Sequence, residues 1–303
     1  MTLTNIALIG ANGNLGPSIL SALLSAKCFT VTILTRASSK STYPPSVKVY
    51  HTPDSPSESD YTTALTNQDA LITTFGGTNA DLQITLANAA VSAGVKFFIP
   101  ADFGSCDSSS DFALGLMPLY VGKKKVREHL QGLAAQGRLG WTSIICGHFF
   151  DYGLKSGLLL ADVKTRKATV FDGGEISFSN STLAQVGRAV VAISKDPEQE
   201  IVRNKMIYMQ SFCITQNQLV VVLEKVMGQK WERKEVRSED FIKENKDIVE
   251  REDDHDAREN LVGVVGIVEG DWRGKKTFAN EALGLEEEDL EDVVREVLKG
   301  MKL

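Results

Sequence analysis

Asn5-Ile-Ala-Leu-Ile-Gly-Ala-Asn-Gly-Asn-Leu-Gly16 is an apolar run that breaks directly into glycines at positions 10, 13 and 16. Ile6 to Ile9 reads as a buried parallel strand, since such strands are short apolar blocks. Pro17 to Ala26 then carries Ile19, Leu20, Leu23 and Leu24 at helical spacing, and Pro17 suits a first helical turn, where the N–H it lacks has no partner. Glycines at such a turn let the backbone approach a pyrophosphate, while the next helix points its free N–H groups and positive dipole end at the same anion. The spacing is G-x-x-G-x-x-G rather than G-x-G-x-x-G, so context decides. A second strand, Thr30 to Thr35, follows the helix at βαβ distance. A dinucleotide held by Gly10, Asn12, Gly13, Asn14, Leu15 and Gly16 is therefore the expectation.

The end of the second strand selects between cofactors. Enzymes choosing NAD place an acid about 20 residues past the glycines to hold the ribose 2′-hydroxyl, whereas a 2′-phosphate needs a cation. Val31-Thr-Ile-Leu-Thr-Arg36 carries no acid, and Ser38, Ser39 and Lys40 add donors and a second positive charge. The planar fork of Arg36 suits a phosphate dianion. The cofactor expected is NADP(H).

Outward from this unit, strands and helices continue to alternate. Val47 to His51, Asp69 to Phe75 and Val95 to Pro100 read as strands, and Tyr61 to Leu65 and Leu82 to Ala93 as helical segments. The pattern predicts an α/β, Rossmann-type doubly wound parallel sheet, with ligands at the carboxyl ends of its strands. Phe75, Gly76, Gly77, Asp102 and Phe103 fall near such ends. Ser105 to Asp111, rich in serine and aspartate, reads as a mobile loop over the cleft. A helix from Leu119 to Ala135 and a strand from Trp141 to Cys146 follow. The division expected is a nucleotide-binding domain over 1–150 and a smaller α+β substrate lobe over 151–303, some of whose segments return to the large sheet. In that lobe, Ala168 to Phe171 and Ile207 to Met209 read as strands. Leu183 to Ser194, Gln216 to Met227, Glu239 to Glu250 and Glu286 to Lys299 read as helices.

At 303 residues the chain is long enough to bury a sizeable core, and it is 43% hydrophobic and 24% charged with a net charge of −6. A mildly acidic chain without a basic face argues against nucleic acid as a partner. Four scattered cysteines suit a reducing compartment and have no metal-ligand spacing. No apolar run approaches the ~20 residues of a membrane span. A cytoplasmic protein with a small-molecule substrate and no bound metal is expected, and a homodimer is one assembly the sequence leaves open. The run Asp253-Asp-His-Asp256 reads as a solvated face.

Three adjacent lysines open the helix that should carry the chemistry. At about 100° per residue, Leu119, Val126, Leu130 and Leu133 form one apolar stripe that includes Lys123, while Lys124 and Lys125 point away. An inward lysine is costly unless it faces a polar cleft, where loss of hydration favours the neutral amine used in proton transfer. Lys123 is the catalytic candidate. Tyr120 and Lys124, four apart and off the stripe, form a second, Y-x-x-x-K candidate. His148, Phe149, Phe150 and Tyr152, after the sixth strand, are candidates to touch substrate.

These residues resemble the NmrA-like and isoflavone-reductase-like branch of the atypical short-chain dehydrogenase/reductases, most clearly over residues 5 to 152. Ile6 to Gly16 is similar to its G-x-x-G-x-x-G start, and Arg36 with Lys40 resemble its basic pair for the NADPH 2′-phosphate. Phe97 to Gly104 stands where the family has F-x-P-S-E-F-G, with Ala101 and Asp102 departing from it. Lys123-Lys-Lys-Val-Arg127 resembles K-x-x-V-R, whose first lysine is the family's catalytic residue. Gly147-His-Phe-Phe-Asp-Tyr152 is similar to N-x-F-x-G-Y beside the nicotinamide, with Gly147 in place of asparagine. The resemblance implies an NADPH-dependent reductase of an aromatic or enone substrate. It also admits a non-catalytic, NADP(H)-sensing regulator, against which the retained Lys123 speaks.

Overall fold

Strand and helix alternate from the first residues in the computed structural model, which describes residues 2–76, 79–252 and 254–301. The strands are β1 (Asn5–Ile9), β2 (Thr30–Arg36), β3 (Lys48–Thr52), β4 (Ala70–Thr73), β5 (Phe97–Ile99), β6 (Gly140–Ile145), β7 (His148–Phe149), β8 (Ala161–Asp162), β9 (Lys167–Phe171), β10 (Ser177–Ser181), β11 (Lys205–Tyr208), β12 (Phe212–Thr215) and β13 (Glu232–Val236). The helices are α1 (Gly16–Ser25), α2 (Glu58–Ala64), α3 (Ala80–Ser92), α4 (Asp111–Leu114), α5 (Pro118–Ala135), α6 (Phe150–Ser156), α7 (Leu183–Lys195), α8 (Gln216–Met227), α9 (Ser238–Arg251), α10 (His255–Val268) and α11 (Leu290–Lys299).

Seven strands pair in parallel in the order β11-β6-β5-β4-β1-β2-β3. The period-2 alternation of a strand divides its side chains between two cores. Ile6, Leu8, Ile33 and Ile72 enter one together with Ile19 and Leu23 of α1 and Val186 and Val190 of α7. Ala7, Leu34, Leu71 and Phe98 enter the other with Leu86 of α3 and Val126 and Leu130 of α5. Fully burying each large side chain contributes about 1.5–3 kcal/mol, and both faces of the sheet are covered in this way. The order reverses between β1 and β4, which opens a crevice at their carboxyl ends.

Residues beyond 150 also build this sheet: β11 pairs with β6 from Lys205↔Thr142 to Tyr208↔Ile145, and α7 packs on α1. The helices meet closely at Gly187, where a Cβ would lie 2.9 Å from Ser18 O and 3.0 Å from Ala22 Cβ. The remaining strands form two three-stranded sheets, β12-β10-β7 and β13-β9-β8. A third core, including Phe150, Phe178, Leu261 and Trp272, lies among them and α6, α8, α10 and α11.

Several boundaries differ from the sequence expectation for local reasons. Helix α2 begins earlier because Ser57 and Asp60 form a reciprocal capping box. Helix α11 begins later, at the Asp289 cap, because Glu288 turns back to accept hydrogen bonds from Thr182 and Ser211. Helix α10 was not anticipated: its charged start obscures the apolar face that follows. Asp254 there caps the helix by accepting from Ala257 N at 2.7 Å, and Asp253 lies outside the described residues. The segment after Ser105 is not the expected mobile flap. Cys106 and Ser108 are fully buried, Ser110 donates to Glu269 at 2.7 Å, and Tyr208 donates to Asp107 at 3.0 Å. Among the described residues no helix is long and apolar enough to cross a membrane, and no group of three or more His, Cys, Asp or Glu could hold a metal ion.

Candidate active site

The glycine turn lies at the reversal point. Gly10 adopts φ +88° and its carbonyl accepts from Gly13 N at 2.9 Å. A Cβ at Gly16 would meet that same carbonyl at 2.2 Å, so the start of α1 seats against the turn only with glycine there. Asn12, Gly13 and Asn14 are exposed beside the first turn of α1, while Leu15 is buried beneath it.

Two adjoining cavities run along the crevice and share Gly13, Phe75 and Gly76 in their walls. The first, of about 610 Å³, extends from the turn to Arg36, Ser38 and Ser39. Tyr43 also lines it, and its hydroxyl accepts from Asn12 Nδ2 at 2.8 Å, drawing the 38–46 loop toward the turn. Lys40, exposed on the same loop, does not line it. The second cavity, about 390 Å³, is walled by Asn14, Phe103, Leu119, Lys123 and Phe149. Phe103 sits at φ +38°, a left-handed conformation that costs a non-glycine residue about 1–3 kcal/mol. The expected Gly77 lies outside the described residues.

Lys123 is 9% exposed. Its Nζ donates to the main-chain oxygen of Asp102 at 2.6 Å and lies 3.6 Å from Asp102 Oδ1. Asp102, expected near the cofactor, also lines the second cavity, while its carboxylate turns inward. Oδ2 accepts from Arg127 Nη1 at 2.6 Å and from Ser143 Oγ, and Arg127 Nη1 also donates to Ser108 Oγ at 2.7 Å. Arg127 closes the K-x-x-V-R motif but has no role assigned from sequence, and Ser143 carries no sequence signal. Residue 127 lies four past Lys123, which signals a shared helix face, but its partner across the sheet has no sequence signature.

A turn with exposed N–H groups, a cation at the end of β2 and a buried amine at the far end line one continuous crevice. The sequence profile of the NmrA-like family matches residues 2–253. The chain belongs to the NmrA-like family. It is 31% identical over 304 residues to "Oxidoreductase aprR" of Aspergillus flavus, covering 97% of this chain and 99% of that protein. In fold it is similar to isoflavone reductase, with TM-score 0.76 at 20% identity over 99% of this chain and 100% of that one. The leucoanthocyanidin reductase–NADPH complex from Vitis vinifera gives TM-score 0.74 at 17% identity over 97% and 99%.

Other expected site residues of this NmrA-like chain lie elsewhere. Tyr120 is 1% exposed, and burial holds its hydroxyl proton well above the ordinary range. Lys124 stands on the outer face of α5, 4.0 Å from Glu128. The Tyr120–Lys124 pair is thus not assembled, because the face of α5 that carries Tyr120 packs into the third core, a contact no helical wheel displays. Phe150 is fully buried, edge-on to Phe212 at 4.9 Å, and Tyr152 is half-buried outside both cavity walls. Gly147 lines neither cavity. At φ +71° it lies so close to β10 that a Cβ would fall 2.0 Å from Ser179 O, which excludes any side chain.

His148 is also buried rather than facing the crevice. Its Nε2–H donates to Gly263 O at 3.0 Å, and a Cβ at Gly266 would lie 2.4 Å from Nε2, so α10 presses directly on the ring. Burial pushes the imidazole down to about 4. The unfolded chain binds this proton below about 6.5 and the folded one refuses it until about 4, so stability is present above 6.5 and is lost as pH falls through that window. The full loss amounts to about 3 kcal/mol. Urea midpoints of wild type should fall between pH 7 and pH 4 more steeply than those of His148→Asn. Parallel pH profiles would refute this account of the histidine.

Proposed function

We propose that this chain is an NADPH-dependent reductase of a small aromatic or enone-type substrate, with Lys123 as general acid/base. The observation that carries the reading is the buried Lys123 amine in the wall of a cavity continuous with the glycine turn. The residues fit the cofactor: the turn and the N-terminus of α1 present donors to a pyrophosphate, and Arg36, Ser38 and Ser39 line the other end for a 2′-phosphate. Bound NADPH supplies the hydride. Phe75 and Gly76 lie in the wall common to both cavities and would flank a bound dinucleotide.

The chain's own residues do the rest. Leu119, Phe103 and Phe149 form apolar walls that exclude water and suit a flat ring. Lys123 Nζ holds the proton for the substrate oxygen or carbon that gains negative charge, and Asp102 keeps the ammonium at the cavity edge.

The test is a titration of NADPH fluorescence, followed by NADPH oxidation across a panel of aromatic enones and quinones. Saturable binding with oxidation by at least one panel member is expected. Binding without any oxidation would favour the sensing alternative, and absence of binding would overturn both.

A further inference from the structure

We infer that Asp102 is a positioning residue for Lys123, its carboxylate clamped by Arg127 and Ser143 so that the amine stays fixed at the cavity wall. This rests on the role proposed for Lys123. Three buried groups converge here: Lys123 at 9%, Asp102 at 6% and Arg127 at 5% exposure. Asp102 meets Lys123 at two atoms. Its main-chain oxygen accepts from Nζ at 2.6 Å, and its Oδ1, buried and without a hydrogen-bond partner, lies 3.6 Å from the same nitrogen. The other oxygen, Oδ2, is taken by Arg127 and Ser143. Arg127 is itself held by Ser108.

The arrangement divides the carboxylate between two tasks. Oδ2 is anchored to a guanidinium on α5 and a hydroxyl on β6, which fixes the side-chain rotamer and therefore the direction of Oδ1. Oδ1 sets an anionic group 3.6 Å from Nζ, while the close hydrogen bond of that nitrogen goes to the main-chain oxygen of the same residue. The nearby thiols of Cys106 and Cys146 also sense Lys123, and burial pushes both up to about 12, so they stay neutral. The anion paired with the amine is thus Asp102. A charge pair this deep in the core is retained at a cost unless it does something a packed apolar group does not, and here it borders the cavity that holds the reacting groups.

The experiment measures Lys123 directly. Wild type, Asp102→Asn and Ser143→Ala are reductively methylated with formaldehyde and a borane at pH 8, and labelling of each lysine is followed by peptide mass spectrometry, with Lys124 and Lys125 as internal references. Loss of the anionic neighbour, with the main-chain hydrogen bond to residue 102 still in place, should raise Lys123 labelling about tenfold in Asp102→Asn and about threefold in the milder Ser143→Ala, while both references stay within twofold. Unchanged Lys123 labelling in both variants overturns the inference. With a substrate from the panel, Asp102→Asn should lower kcat at least tenfold and move the NADPH titration midpoint less than twofold. In a Lys123→Ala background it should cause no further loss, whereas multiplicative losses would show a separate structural effect and overturn the inference. Should Lys123→Ala turn over at the wild-type rate, the catalytic reading fails while the labelling result still judges the tether.

Discussion

Lys123→Ala is expected to lower kcat by about 10²–10⁴-fold, the range general acid–base groups contribute, or roughly 3–5 kcal/mol of barrier. The NADPH titration should change by no more than a few-fold. The reason for the split is position: the turn and Arg36 line the first cavity, whereas Lys123 enters the wall of the second only. Lys123→Arg should not restore the rate, because a guanidinium is longer, planar and does not release its proton. Folding should survive the alanine variant, since Asp102 keeps Arg127 and Ser143 as partners and no charge is left buried alone. Steady-state kinetics with the best panel member, beside a melting curve, checks both halves. A wild-type kcat in Lys123→Ala would remove this residue from the chemistry.

The placement of that lysine was legible in the sequence because a single helix decides it. Leu119, Val126 and Leu130 define a stripe, and the one lysine on it is the buried one. The first βαβ unit was legible for the same reason: its strand, turn and helix are contiguous. What failed was tertiary. Tyr120 lies off the stripe and is nonetheless buried, because the C-terminal lobe supplies a second wall for α5. His148 and Phe150 follow β6 directly, and proximity along the chain to the crevice suggested contact with it. The backbone instead turns at Gly147 toward β10, and both side chains enter the lobe's core. The serine-rich segment after Ser105 reads as loose from composition, yet it is pinned by partners 19, 101 and 159 positions away. Long-range polar contacts leave no local period to read.

Arg36→Ala is expected to weaken NADPH relative to NADH by about 10–100-fold, since a hydrogen bond to a charged group is worth about 1.5–3 kcal/mol. Arg36 is exposed at the carboxyl end of β2, opposite Thr52 of β3 and at the rim of the 610 Å³ cavity. Nothing in the core depends on it, so the variant should melt near the wild-type temperature. The neighbouring anion is Asp54, which Ser38 holds below the ordinary carboxylate range through its hydroxyl and backbone N–H. That carboxylate faces the Ser38 amide at 2.9 Å, so part of the loop's donor capacity is already spent and selection for a phosphate falls more heavily on the guanidinium. Arg36→Asp should go further and reverse the preference, because a carboxylate repels the 2′-phosphate and accepts the ribose 2′-hydroxyl of NADH. Wild-type affinity for NADPH should also decline as salt screens the pair, while that for NADH declines less. Fluorescence titrations of both dinucleotides at low and high ionic strength measure all of this at once. An unchanged NADPH-to-NADH ratio in Arg36→Ala would mean that other donors on the 38–46 loop, Ser38 and Ser39 foremost, carry the selection instead.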